Sequence, residues 1–328
     1  MRIRDSVFGS PKEQRLYRTL KSRWADKFNL YPSLPFTSII DIQDADIKER
    51  EKRYLFKTSV DFTLCQKETE KPIMSIEFDG LGHGFSHEGK YIQVRQSKDP
   101  FRKLKFDLKL RVAQKTSYPY IIVSLEEAQP FSEDLELTIV DGLIGRILAR
   151  KRFEESLEER EEELARVGLE DFIDLIETKG MYEAHEQQYT NNDYVQERIR
   201  CLEVMADSEY NPVSRQAWVL RDELVKLGIY EGEAGKYVEE PPAPVLRDIS
   251  DVETLEKRLG ILNDPLTKVG CEVSFKVKGL QKEVSSKVFI RNFGADSVSL
   301  AKEIATLLAA KKALVSWFCL RRGKAESP

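Results

Sequence analysis

With 328 residues, 41% of them hydrophobic and 33% charged, the chain is long enough for two domains with real cores, and no run approaches the ~20 apolar residues of a membrane helix. A formal charge of −4 conceals an asymmetry. Residues 90–115 hold nine basic side chains (Lys90, Arg95, Lys98, Arg102, Lys103, Lys105, Lys109, Arg111 and Lys115) against Asp99 and Asp107, which points to a polyanionic partner. Cys65, Cys201, Cys271 and Cys319 lie far apart without a CxxC pair, arguing against a disulfide framework or a zinc knuckle and for reduced thiols in the cytoplasm; MRIRDSVFGS lacks the apolar core of a secretory leader.

In chain order, Ser10-Pro11-Lys12-Glu13 predicts a helix start: a Ser N-cap, a Pro in the first turn and a Glu that completes a capping box. The helix runs about four to five turns, with Leu16, Leu20 and Trp24 on its buried stripe and Tyr17 and Phe28 nearby. YPSLPFTSIIDI predicts a loop and then a strand whose apolar content is Ile39, Ile40 and Ile42. DADIKEREKR is a charged excursion, either a short helix or an insertion.

Ser59 to Gly80, SVDFTLCQKETEKPIMSIEFDG, predicts two strands joined by the polar turn QKETEK. Val60, Phe62 and Leu64 share a face of the first, so Asp61 projects from the other. Met74, Ile76 and Phe78 share a face of the second, leaving Glu77 and Asp79 together opposite. Pairing brings the three carboxylates onto one patch. Such a cluster raises its members' pKa values unless a cation neutralises it, and oxygen-only ligands suit Mg²⁺ or Mn²⁺. From Gly80 to Lys98 no period is visible, and a loop carrying His83 and His87 is expected to close over this patch.

Asp99-Pro100 predicts a second helix, with Phe101, Leu104, Leu108 and Val112 at helical spacing and Lys105 and Lys109 one turn apart on its flank. Tyr118-Pro119 ends it, and YIIVSL is a buried strand. The order is α-β-β-β-α-β, a compact layered α/β unit over residues 1–130.

Residues 131–235 read as helical: a long or broken helix from LTIVDGLIGRILAR through the Glu-rich KRFEESLEEREEELAR, interrupted near Gly168, then Tyr189–Met205 and Ser214–Leu227, with β-like runs after it that suit a winged-helix-like end. EEPPAPVLRD marks a proline-rich linker over 236–250. Residues 251–328, with alternating CEVSFKVKG and KVFIRNFG followed by the amphipathic LAKEIATLLAAKKALVSWFC, predict a small α+β module of ββα type. Asp207, Glu209 and His185 lack supporting spacing and read as surface residues.

The α-β-β-β-α-β order with acids on the second and third strands resembles the PD-(D/E)XK nuclease superfamily. More narrowly, Val60-Asp61-Phe62, then Ile76-Glu77-Phe78-Asp79-Gly80 and His83, then the basic helix RKLKFDLKLRVA and the strand PYIIV, resemble the restriction-endonuclease-like branch related to very-short-patch-repair enzymes, over residues 10–126. The superfamily's lysine, two residues after the strand acid, is Asp79 here, so its charge-stabilising role passes to Lys109 or Lys105.

The resemblance implies a metal-dependent nuclease acting on nucleic acid, with DNA the expected substrate and Mg²⁺ or Mn²⁺ the cofactor. Asp61 and Glu77 would hold the metal, with Asp79 and Glu13 completing its surroundings. His83 would orient water or protonate the leaving group, Lys109 with Lys105 would stabilise the transition state, and Arg95, Arg102 and Lys103 would bind backbone phosphates. The competing expectation is a catalytically inactive scaffold of the same fold that binds nucleic acid or protein, and the helical region is the expected seat of any protein partner.

Overall fold

The computed structural model describes residues 6, 8–42, 47–80, 82–85, 91–93, 102–116, 118–132, 134–160, 193–228, 230–239, 264–280, 283–293 and 297–321. Its N-terminal elements are α1 (Pro11–Trp24), β1 (Phe28–Pro35), α2 (Glu49–Leu55), β2 (Ser59–Gln66), β3 (Pro72–Asp79), β4 (Gly82–Phe85), β5 (Tyr91–Gln93), α3 (Arg102–Lys115) and β6 (Tyr120–Ser124). There follow α4 (Ile139–Glu159), α5 (Asp193–Tyr210), α6 (Pro212–Lys226), β7 (Tyr230–Glu239), β8 (Asp264–Val277), β9 (Val284–Asn292) and α7 (Ser297–Arg321).

The chain is mixed α/β, with a four-stranded mixed sheet in the order β1-β2-β3-β6. β1, β2 and β3 pair antiparallel, through Phe28↔Gln66 to Pro35↔Ser59 and then Phe62↔Ile76 and Thr63↔Ser75. β6 joins β3 in parallel, from Ser75↔Tyr120 to Asp79↔Ser124. A parallel neighbour needs a crossover, and α3 supplies it. The α-β-β-β-α-β order is therefore embedded in this unit, with α2 and the β4-β5 pair as additions.

Each face of the sheet buries a different layer. Leu16, Leu20 and Trp24 of α1 pack on Phe62, Leu64, Met74, Ile76, Phe78, Ile121 and Val123. On the other face, Val60, Tyr120 and Ile122 meet Leu108, Val112 and Ala113 of α3, Leu55 of α2, and Phe36, Ile40 and Ile42. At about 1.5–3 kcal/mol for each large apolar side chain withdrawn from water, these two layers hold the strands in register.

Several sequence expectations need correcting. The first strand is FNLYPSLP, not the isoleucine run after it: residues 36–38 form a 3₁₀ turn, and Ile40 and Ile42 are buried from loop positions. The stretch after Gly80 is not wholly loop, since β4 and β5 pair there. Val60 does not share a layer with Phe62 and Leu64; it faces α3 while they face α1, so the alternation breaks at Asp61. The Asp99-Pro100 cap, His87 and Arg95 lie outside the described residues.

The C-terminal region is mainly helical, with the three-stranded sheet β7-β8-β9 beside α7. Thr138 caps α4 reciprocally with Asp141, and Asn211 caps α6 ahead of Pro212. Gly145 lets α4 approach the α5–α6 junction, where a Cβ would meet Asn211 Cα at 2.8 Å. β7 pairs with β8 across residues 240–263, so the boundary expected at 235/236 falls within a strand, and no winged-helix hairpin follows α6 among the described residues. The core is continuous: Leu16 and Trp24 belong to the same buried cluster as Leu143 of α4, Phe275 of β8 and Leu300 of α7.

Candidate active site

The antiparallel register that pairs Phe62 with Ile76 and Thr63 with Ser75 puts Asp61 beside Glu77 when carried one residue further. The regular pairing stops at Phe62, and there the amide of Phe78 donates to Asp61 Oδ2 at 2.8 Å. On the other side of Asp61, the β1 register skips Ser33, whose φ of 55° is left-handed. A non-glycine residue in that region is uncommon and strained. Pairing with β3 thus ends beside one acidic residue, while the register with β1 runs on unshifted to Pro35↔Ser59.

Glu77 faces α3. Lys109 Nζ donates to Glu77 Oε1 at 2.9 Å and Oε2 at 3.1 Å, and to the carbonyl of Ser59 at 2.6 Å. Tyr120 OH donates to Glu77 Oε2 at 2.9 Å. Lys109 and Tyr120 are buried at 3% and 0% exposure, so this is an interior ion pair with a phenol added to it. Tyr120 has its own pKa raised well above the ordinary value, first by burial and then by Glu77.

Glu13 approaches from α1. Ser10 Oγ accepts from Glu13 N at 3.1 Å, as the capping motif predicts, while the Glu13 carboxylate accepts from Gly9 N at 3.0 Å. Burial is the main cause that raises the Glu13 pKa; the Gly9 amide opposes it and the charge of Glu77 adds to it. Asp61 is displaced further, from the ordinary 3.8 to about 7, chiefly by burial and then by Glu77, with a smaller contribution from Glu13. The Phe78 amide and Lys109 pull it down without cancelling those effects.

Glu13, Asp61 and Glu77 therefore sense one another electrostatically, although Glu13 enters from the α1 layer and Glu77 faces α3. Asp79, two residues on from Glu77, is also buried, and its ladder neighbour is Ser124. Lys105 is half-buried, with its Nζ 5.7 Å from the centre of the Tyr54 ring. It stands apart from Lys109, which is no solvated flank residue. His83 lies on β4, and Arg102 and Lys103 lie in the first turn of α3, so the structure describes their backbone positions only.

The donor chemistry fits a hard divalent cation. Carboxylates at Asp61 and Glu77 are oxygen ligands, and Mg²⁺ is commonly held by one or two carboxylates with water and substrate phosphate supplying the rest. The pKa values of Asp61 and Glu13 are raised first by burial and then by neighbouring carboxylates, and a cation would relieve both effects. Among the described residues, no group of three acidic, histidine or cysteine side chains forms a ready cage.

Tyr120 is the participant that sequence reasoning missed. The run YIIV reads as apolar, yet a buried tyrosine hydroxyl needs a partner, and that requirement was the available signal.

Over residues 5–127, a little over a third of the chain, the sequence is similar to a family described as a protein of unknown function (DUF2726). No curated protein and no solved structure matches the chain.

Proposed function

We propose that the N-terminal unit is a restriction-endonuclease-like nuclease core that hydrolyses phosphodiester bonds of nucleic acid, DNA above all, with Mg²⁺ or Mn²⁺. The observation that supports this is the burial of Asp61 within electrostatic reach of Glu77 and Glu13, where pairing of β2 with β3 ends, with Lys109 on Glu77. An ordinary structural acid is placed where its charge is welcome, and Asp61 is not.

In such a reaction a water oxygen bonds to phosphorus, the ester P–O bond breaks, and the leaving oxygen gains a proton. A divalent ion held by Asp61 and Glu77 would acidify the water and offset phosphate charge. Lys109 supplies the ammonium that steadies charge growing on the phosphate, and Tyr120 holds Glu77 in one rotamer. Glu13 adds negative potential that favours a cation, while the basic α3, including Arg102 and Lys103, offers positions for backbone phosphates. His83, on the neighbouring β4, is the proposed proton donor.

A second reading is favoured by one contact: Lys109 already engages both oxygens of Glu77, as a stable internal pair would in an inactive scaffold. Plasmid and single-stranded DNA incubated with the full chain and Mg²⁺ or Mn²⁺ separate the two. Cleavage by wild type, lost in both Asp61→Ala and Glu77→Ala with DNA binding retained, supports the nuclease. DNA binding without cleavage by wild type supports the scaffold.

A further inference from the structure

Beside the shared core, a buried ion pair joins the C-terminal module to the end of the sheet, between residues 164 apart in sequence. Arg291 of β9 donates through Nε to Glu127 Oε1 at 3.0 Å and through Nη2 to Glu127 Oε2. The same Nη2 donates to the carbonyl of Ile122 at 2.6 Å. Glu127 in turn accepts the amide of Ser124 at 2.6 Å, and its own amide donates to Ser124 Oγ at 3.3 Å. Both side chains are interior, at 3% and 4% exposure, and the guanidinium lies 4.7 Å from the centre of the Phe293 ring.

The two gripped points fall beside the acids. Ile122 and Ser124 are the β6 partners of Glu77 and Asp79 across the parallel ladder, and Tyr120, two residues before Ile122, carries the hydroxyl on Glu77. A buried ion pair is a weak source of net stability, because desolvation consumes most of its attraction. Its distinctive property is geometric. A planar guanidinium can satisfy a carboxylate side-on and a carbonyl at once, whereas a lysine cannot reproduce that fork.

We propose that Arg291 is a positioning residue for the carboxylate site: through Glu127 and the Ile122 carbonyl, the C-terminal module fixes β6, and with it Tyr120 and Glu77. The module is then an integral buttress of the N-terminal unit rather than an appended domain. The metal aspect of this proposal rests on the nuclease reading, while the positioning itself does not.

The test uses the full chain, with Mn²⁺ as the probe and the NMR resonances of the Tyr120 ring, which report its hydrogen bond to Glu77, as a readout that needs no metal. Arg291→Met/Glu127→Leu removes both charges, and near-ultraviolet circular dichroism checks that it folds. Arg291→Lys keeps the charge without the fork. Val273→Ala, in fully buried β8 packing of the same module, is destabilising without touching the clasp.

The double variant should bind Mn²⁺ about 10- to 100-fold more weakly, as loss of a supporting partner typically does. Its Tyr120 resonances should move, Arg291→Lys should behave in the same direction, and Val273→Ala should lower the melting temperature alone. The proposal is overturned if the clasp variants leave both readouts at wild-type values, or if Val273→Ala shifts them equally. Wild type that binds no Mn²⁺, while the clasp variants still shift the Tyr120 resonances, refutes the metal site and upholds the positioning role. Should Arg291→Met/Glu127→Leu fail to fold, Arg291→Lys decides on the same two readouts.

Discussion

Replacing Asp61 with asparagine should make the protein more stable, and the gain should depend on pH. Asp61 holds its proton to about pH 7 in the native state, against an ordinary 3.8. Between those values the folded chain keeps a proton that the unfolded chain has released, so stability falls as pH rises from 3.8 to about 7 and is flat above. At ~1.4 kcal/mol per pH unit, that interval amounts to about 4 kcal/mol. The carboxamide introduced by Asp61→Asn cannot ionise, and its oxygen still accepts from the Phe78 amide, so the substitution removes the electrostatic penalty without removing the hydrogen bond. Urea unfolding of both proteins at pH 4, 6 and 8 measures the difference. The variant should lead by about 4 kcal/mol at pH 8 and by less than ~1 kcal/mol at pH 4. Saturating Mn²⁺ should narrow the lead at pH 8, because a cation favours the ionised acid that only wild type possesses. A variant less stable than wild type at pH 8, or a difference that ignores pH, refutes the account of this cluster.

Lys109→Met leaves Glu77 buried with Tyr120 as its remaining described partner, and should cost about 3–5 kcal/mol in chemical denaturation at pH 7. Tyr120→Phe removes one hydrogen bond to a charged acceptor and should cost roughly 1.5–3 kcal/mol in the same assay. Gly145→Ala drives a Cβ to 2.8 Å from the backbone of Asn211 and should cost roughly 1–3 kcal/mol, read as a lowered melting temperature. Gly142→Ala, whose nearest obstacle at 2.4 Å is the flexible end of Leu300, should cost less than Gly145→Ala.

What the sequence revealed, and what it hid, follows from the range of each interaction. α1 was legible because a Ser cap, a Pro and a Leu16–Leu20–Trp24 stripe agree within one helix. The neighbourhood of Asp61 and Glu77 was legible because strand alternation fixes facing and a short turn fixes pairing. β1 was obscured by Pro32, Pro35 and the left-handed Ser33, which spoil its alternation, while Ile39, Ile40 and Ile42 imitate a strand from loop positions. The burial of Lys109 depends on how α3 is rotated, and its helix has both charged and apolar residues on several sides. Arg291 and Glu127 meet across 164 residues, and a local window sees only a charge in an otherwise alternating strand.

The similarity to the family of unknown function stops at residue 127, but the packing does not. Trp24 Nε1 donates to the fully buried Asp141 Oδ1 at 3.1 Å, and Leu16 and Leu20 share a core with Val140, Leu143 and Ile144. Cutting the chain at 127 would bare those faces at about 1.5–3 kcal/mol for each large side chain, and would strip Arg291 from a buried carboxylate. The N-terminal sheet also carries a cluster whose Asp61 alone opposes folding by about 4 kcal/mol near neutrality, against a typical domain stability of about 5–15 kcal/mol. A sheet that buries Asp61 near Glu77 and Glu13 draws on stabilisation from elsewhere. The continuous core, with α4, α6, α7 and the C-terminal sheet joined to the α1 layer, supplies it. The acids and the distant half of the chain are therefore expected to unfold together, and two separate urea transitions would refute that coupling.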